Sequence, residues 1–210
     1  MQQKKLILKT AIASLLVICV LLLALFGILS YCAPVTMMKL SSSLGLDSMS
    51  GDYAYEAYGR SGDVEYLARA FEIAAESGHD VKASERFDTL YEHEDFAKYC
   101  ASVDEQFKAS EDRGAVYGYR AYVCGQAARV KYRLALEDTE KAEVAAFALS
   151  ETEEGFPAGN PLLALALEAA SAGDASFCSF LLETLRAGGF PEENGAYINI
   201  VNILEKVAKE

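Results

Sequence analysis

Apolar positions fall into two patterns along the chain. Residues 10–29, "TAIASLLVICVLLLALFGIL", form an unbroken run of 20 positions without a charge. Beyond residue 50 the apolar positions recur at helical spacing instead. Val64, Leu67, Phe71 and Ala74 form one stripe, and Val116, Val123, Ala127, Val130 and Leu134 a longer one. Phe177, Leu181 and Leu185 form a third, and Tyr197, Ile200, Val201, Leu204 and Val207 a fourth. Breaks rich in Gly, Pro, Ser and Asp separate them at 60–63, 76–80, 109–114, 151–161, 171–174 and 187–195. Such residues stop one helix and cap the next. No alternating strand pattern with a tight hairpin turn is present, so the spacing predicts an all-α chain with helices of about 10–15 residues.

The first run is long enough to cross a bilayer, whose hydrocarbon core needs about 20 apolar residues in a helix. Lys4, Lys5 and Lys9 precede it and only Lys39 follows closely. That asymmetry predicts a cytoplasmic N-terminus and a domain on the outer side. The run exceeds the roughly 7–15 apolar residues of a signal-peptide core. The following "SYCAPVTMM" offers no small-x-small cleavage site. A lipoprotein signal places a small residue before its Cys, whereas Tyr31 precedes Cys32. The resulting division is a basic tail at 1–9, a membrane anchor at 10–31, a linker at 32–50 containing the small polar stretch "SSSLGLDSMSG", and a helical domain at 51–210.

Charge narrows the partners. All 31 acidic residues follow Leu46 and the net charge is −12, so the chain beyond the three leading lysines carries about −15. A domain this acidic repels phosphate backbones, which argues against nucleic acid. Of five cysteines, Cys19 lies within the run and Cys32 at its edge. Cys100, Cys124 and Cys178 sit in apolar-periodic surroundings with no C-x-x-C and no zinc-ligand spacing, and read as small buried hydrophobes.

Two breaks match each other. Tyr58 stands four residues before Gly62-Asp63, and Ala169 four before Gly173-Asp174. After each Gly-Asp, apolar residues follow at the same offsets: Leu67, Phe71, Ala74 in one, and Cys178, Leu182, Leu185 in the other. Acidic turns at Glu94-Asp95 and Glu137-Asp138 suggest two blurred copies between them, at intervals of 32, 43 and 36 residues. This arrangement resembles tetratricopeptide and Sel1-like repeats, with "AAESGH" (74–79) similar to the Sel1-like repeat ending. The usual small pair early in the first helix is Ala54-Tyr55 here, and His79 stands where the repeat's closing proline is expected. The resemblance, over about residues 45–190, implies an α-solenoid of helix hairpins; an irregular helical bundle is the alternative. It also implies that the first helix of each hairpin lines a concave face, which points to Tyr55 and Tyr58.

Patterns for chemistry are sparse. Neither a zinc-protease H-E-x-x-H, a G-x-S-x-G elbow nor a Gly-rich phosphate loop occurs, and no cofactor or metal site is expected. His93 is flanked by Glu92, Glu94 and Asp95, but neighbours along a helix point in different directions and cannot all grip one ion. "ESGHD" (76–80) is superficially similar to the catalytic segment of lytic transglycosylases, which makes Glu76 the candidate acid of a rival reading, a cell-wall hydrolase. The glycine- and glutamine-containing segment that follows in that family is missing. A second rival is a secreted solute-binding domain.

"YRAYVCGQAARVKYR" (119–133) is a basic, aromatic island in an acidic domain. Its residues either neutralise acids internally, for example Arg133 with Glu137 four positions on, or meet a partner through Tyr119, Arg120, Tyr122 and Arg129, types favoured at interface hot spots. The expectation is a non-enzymatic, membrane-anchored helical-repeat scaffold that binds a protein partner on the outer side, through Tyr55, Tyr58, Tyr119, Arg120, Tyr122 and Arg129.

Overall fold

A computed structural model describes residues 2–109, 118–152, 160–188 and 193–209, the side chains of residues 2–11 and 107–109 excepted. Val116, and parts of the breaks at 109–114, 151–161 and 187–195, lie outside the described residues. Among the described residues the regular structure is wholly α-helical. The helices are α1 (Gln2–Cys32), α2 (Pro34–Ser43), α3 (Asp47–Ser61), α4 (Val64–Glu76), α5 (Asp80–Tyr91), α6 (Phe96–Ala109), α7 (Tyr119–Leu134), α8 (Asp138–Ser150), α9 (Pro161–Ser171), α10 (Ala175–Ala187) and α11 (Gly195–Ala208).

α1 contains the apolar run. Ile12–Cys32 has a mean hydropathy of 3.1 and is not buried against the rest of the chain. It is thus long and apolar enough to span a membrane. The stretch 32–50, read from its small polar residues as a linker, is largely helical instead. α2 starts with Pro34 at its first position, where a missing N–H costs nothing. It buries Met37 and Ser41 and packs on α3. The chain then reverses at Gly45, whose φ is +68°, and α3 begins at Asp47, before residue 51.

The matched turns have the same construction. Gly62 has a φ of +70° and Gly173 a φ of +67°. This left-handed conformation is open to glycine without a Cβ penalty. The next residue caps the following helix: Asp63 accepts from Glu65 N (3.0 Å) and Asp174 from Phe177 N (3.1 Å). Both apolar triples are buried. The blurred turns also fall between helices, Glu94-Asp95 ahead of α6 and Glu137-Asp138 at the start of α8, where Glu137 and Glu140 form a capping box.

Helices pack on their chain neighbours at the start of the domain and on alternate helices beyond it. α3 lies against α2 and α4, and α4 against α5. α5 packs on α7, α7 on α9 and α9 on α11. α6 lies against α7 and α4 rather than folding back on α5. The core has two lobes. One gathers Leu67, Phe71, Phe87, Leu90 and Phe96 around Val123, Cys124, Ala127 and Val130 of α7. The other gathers Leu162, Leu165, Leu181, Leu185, Ile200 and Leu204 around Ala128 and Tyr132, also of α7. α7 approaches α9 closely at Gly125, where an added Cβ would stand 3.2 Å from that of Ala164. Cys100, Cys124 and Cys178 are free and buried, in line with a packing role.

Two substitutions separate core from turn. Phe71 is fully buried. Phe71→Ala is expected to cost about 3–5 kcal/mol. At Gly62 an added Cβ meets no atom within 4 Å, so the cost of Gly62→Ala is backbone strain alone. That strain is about 1 kcal/mol, the lower end of the left-handed penalty. Denaturant unfolding of the full chain in detergent, followed by circular dichroism, measures both.

Candidate functional site

The residues singled out in the sequence fall into separate places. Tyr55 and Tyr58 lie together on α3, with ring centroids 6.1 Å apart. Arg86 from α5 lies 5.1 Å from the Tyr55 ring, and His93 meets Tyr58 edge-on at 5.9 Å. Tyr119 is buried, its hydroxyl donating to Glu72 Oε1 (2.7 Å) and its ring against Tyr99. Tyr122 stays exposed one turn further on. Arg120 and Arg129 point elsewhere, each into an ion pair.

The basic island is neutralised within the domain. Arg120 forks onto Glu151 (Nε to Oε2, 2.8 Å; Nη2 to Oε1, 3.0 Å). Arg129 pairs with Glu168 (2.7 Å) and Lys131 with Asp88 (2.6 Å). Arg133 does not take Glu137, the expected helical neighbour. It reaches Asp80 (2.6 Å) and Glu168 (3.2 Å), because α7 is packed between α5 and α9, which bring those carboxylates to it. Arg86 was not singled out in the sequence. It is only 6% exposed, donates to Ala70 O (3.1 Å) and Asp52 Oδ1 (2.6 Å), and ties α5 to α3.

A groove of about 370 Å³ lies between α5, α7 and α8. Phe87, Tyr91, Leu134, Val144 and Phe147 give it an apolar floor. Phe147 closes one end by edge-to-face contact with Phe87 (5.6 Å) and Tyr91 (5.9 Å). Such tilted ring pairs are favoured by the aromatic quadrupole. Behind that end, Tyr91 donates to Glu151 (2.7 Å) and Arg120 covers the Tyr91 ring at 5.4 Å. The rim is charged: Asp88, Glu140 and Glu143 with one cation, Lys131, already bound to Asp88. Glu140 also holds the α7–α8 connection by accepting from Leu136 N (2.7 Å) and Glu137 N (3.1 Å). This hands Leu136 to solvent, 90% exposed, beside the groove. The arrangement can take up an apolar side chain and hold positive charge around it.

Among the described residues no group of three or more His, Cys, Asp or Glu is placed to hold a metal ion. His79 is exposed at the start of α5, and His93 Nδ1 accepts from Asp95 N (3.2 Å). Glu76 is exposed at the last position of α4.

Two partly buried carboxylates respond to pH with opposite signs. Glu151 is desolvated, which pushes its pKa up, but the Arg120 and Tyr91 hydrogen bonds outweigh this and hold it below the ordinary value. Its contribution to stability is present above the unfolded value of 4.5 and is lost as pH falls through the lower, folded value. Glu72 is raised, chiefly by burial, against the Tyr119 hydrogen bond. Its contribution is present below 4.5 and is lost as pH rises through the higher, folded value. Unfolding measured from about pH 7 down to about pH 3 tests both. Glu151→Gln is expected to lose less stability on acidification than the parent chain. Glu72→Gln is expected to be relatively most stabilised at neutral pH, its advantage shrinking as pH falls.

No protein-family model, curated protein or solved structure matches the chain.

Proposed function

We propose that the chain is a non-enzymatic, single-pass membrane protein whose helical-repeat domain holds a protein partner at the outer surface of the membrane. The groove between α5, α7 and α8 carries this reading. It is open along one side and floored by aromatic rings, a form suited to receiving a partner's side chains. Its rim of Asp88, Glu140 and Glu143 favours an apolar residue flanked by Lys or Arg. Leu136, next in the chain to the lining residue Ala135 and 90% exposed, extends the surface a partner can reach.

Two further observations support the architecture and the address. The succession of α5, α7, α9 and α11, each packed on the one before, fits a short tetratricopeptide- or Sel1-like superhelix whose repeats have drifted in length. Lys4, Lys5 and Lys9 ahead of the apolar run favour a cytoplasmic N-terminus and an outward domain.

Photo-crosslinking in native membranes tests the proposal. A crosslinker at Leu136 or Ser84, beside and within the groove, is expected to capture a discrete protein, and one at exposed Glu183 on α10 is not. Equal capture from all three positions, or none from the groove, contradicts it.

A further inference from the structure

α3 bridges the join between the apolar helix and the domain. α1 ends at Cys32 and α2 begins at Pro34, and Ala33 between them leaves helical geometry (φ −140°, ψ 64°) while closing the last bond of one helix and the first of the other. Ala33 N donates to Leu29 O (2.9 Å) and Met37 N to Ala33 O (3.1 Å). Pro34 has no N–H to donate and marks the point of bending. α3 packs on α2 and reaches both sides of this junction through side chains. On the α2 side, Ser50 Oγ donates to Met38 O (3.0 Å). On the α1 side, Tyr53 Oη and Ser30 Oγ share a hydrogen bond (2.8 Å). Two turns further along α3, the Arg60 guanidinium lies 5.1 Å from the Tyr31 ring centroid, steered there by an ion pair with Glu56.

We propose that α3 splints the membrane helix to the domain, so that the Ser61–Asp63 turn and the neighbouring α5–α6 turn rest in the phospholipid headgroup layer. This deepens the anchored-scaffold reading and rests on it. The apolar run gives way to polar residues at Ser30, so the boundary of the hydrocarbon core falls there. Tyr31 is 75% exposed. It stands at the height where aromatic residues with a polar tip prefer to sit. Arg60 is held at that same height, and a guanidinium is matched to lipid phosphate. Ser61, Gly62 and Asp63 follow directly on Arg60, whose guanidinium lies against Tyr31 at the end of the apolar run. The Tyr58–His93 ring contact draws the α5–α6 turn alongside.

The rim so formed carries both signs. Arg60 and Lys98 alternate with Asp63, Glu94 and Asp95, and all five side chains are at the surface. Zwitterionic headgroups, which present a phosphate and an amine together, complement that mixture better than an anionic surface does. The opposite end of the α2–α3 pair is remote from the bilayer. Leu44 lies about 12 residues beyond Cys32, or roughly 18 Å along the helical path.

Depth measurement on the full chain tests the splint. The chain is reconstituted in phosphatidylcholine vesicles with Cys19 and Cys32 replaced by Ser, and one fluorescent label is placed through Ser61→Cys or Leu44→Cys. Lipids spin-labelled at the headgroup serve as quenchers. The label at 61 is expected to be strongly quenched and the label at 44 to be left bright. In the Tyr53→Phe, Arg60→Gln double variant the helices persist by circular dichroism, but the quenching at 61 is lost. Labels at 61 and 44 quenched alike, or quenching at 61 unchanged in the double variant, overturn the splint while the chain still floats with the vesicles. A chain that does not float with them overturns the anchor and the splint together.

Discussion

Burial of α7 on two faces is the constraint on which the rest of the domain depends. One face sends Val123, Cys124, Ala127 and Val130 into the lobe built by α4, α5 and α6. The other sends Ala128 and Tyr132 into the lobe built by α8 to α11. A helix buried from two sides cannot carry large side chains everywhere. Its inward positions are mostly small or β-branched, and at Gly125 α9 comes too near for even a methyl group to enter without displacement. The groove follows from the same constraint. α5 and α8 both lean on α7, they meet through Phe87, Tyr91 and Phe147, and they diverge beyond those rings.

An acidic domain needs its cations where they join elements, and α7 supplies them. Arg120, Arg129, Lys131 and Arg133 reach carboxylates contributed by α5, by α9 and by Glu151 at the end of α8. Each pair is partly exposed, so each contributes modestly by itself, of the order of 0–1 kcal/mol. Together they set the rotation of α7 about its axis, because a quarter turn would strand all four. Arg86 does the same between α3 and α5, more deeply buried and with its guanidinium satisfied on two sides.

What could be read in the sequence was what is local. The Gly62-Asp63 and Gly173-Asp174 turns depend on one left-handed residue and one capping carboxylate, and both residue types announce themselves. The triples Leu67-Phe71-Ala74 and Cys178-Leu182-Leu185 follow from helical spacing. α2 was missed because its small polar serines resemble a linker. It is helical because Met37 and Ser41 are buried on α3. The groove was out of reach for a different reason. Phe87 and Phe147 are sixty residues apart, and nothing in either neighbourhood says that they touch. Arg133 was assigned to its helical neighbour Glu137, since the tertiary acids Asp80 and Glu168 lie far away in sequence. Of the six residues expected to meet a partner, Tyr55 and Tyr58 came from the repeat resemblance and Tyr119, Arg120, Tyr122 and Arg129 from residue type, and the structure places them apart rather than on one surface.

The central physical claim is that the domain is one rigid scaffold joined through α7, so its two lobes hold or fail together. Native-state hydrogen exchange on the full chain in a bilayer mimetic tests it most directly. Buried amides of α4 and of α9 are predicted to exchange with the same free energy of opening. Gly125→Leu, which forces α7 from α9, is predicted to lower both by the same amount. A variant in which α9 exchanges faster while α4 is unaffected would mean two independent lobes, and would contradict the account.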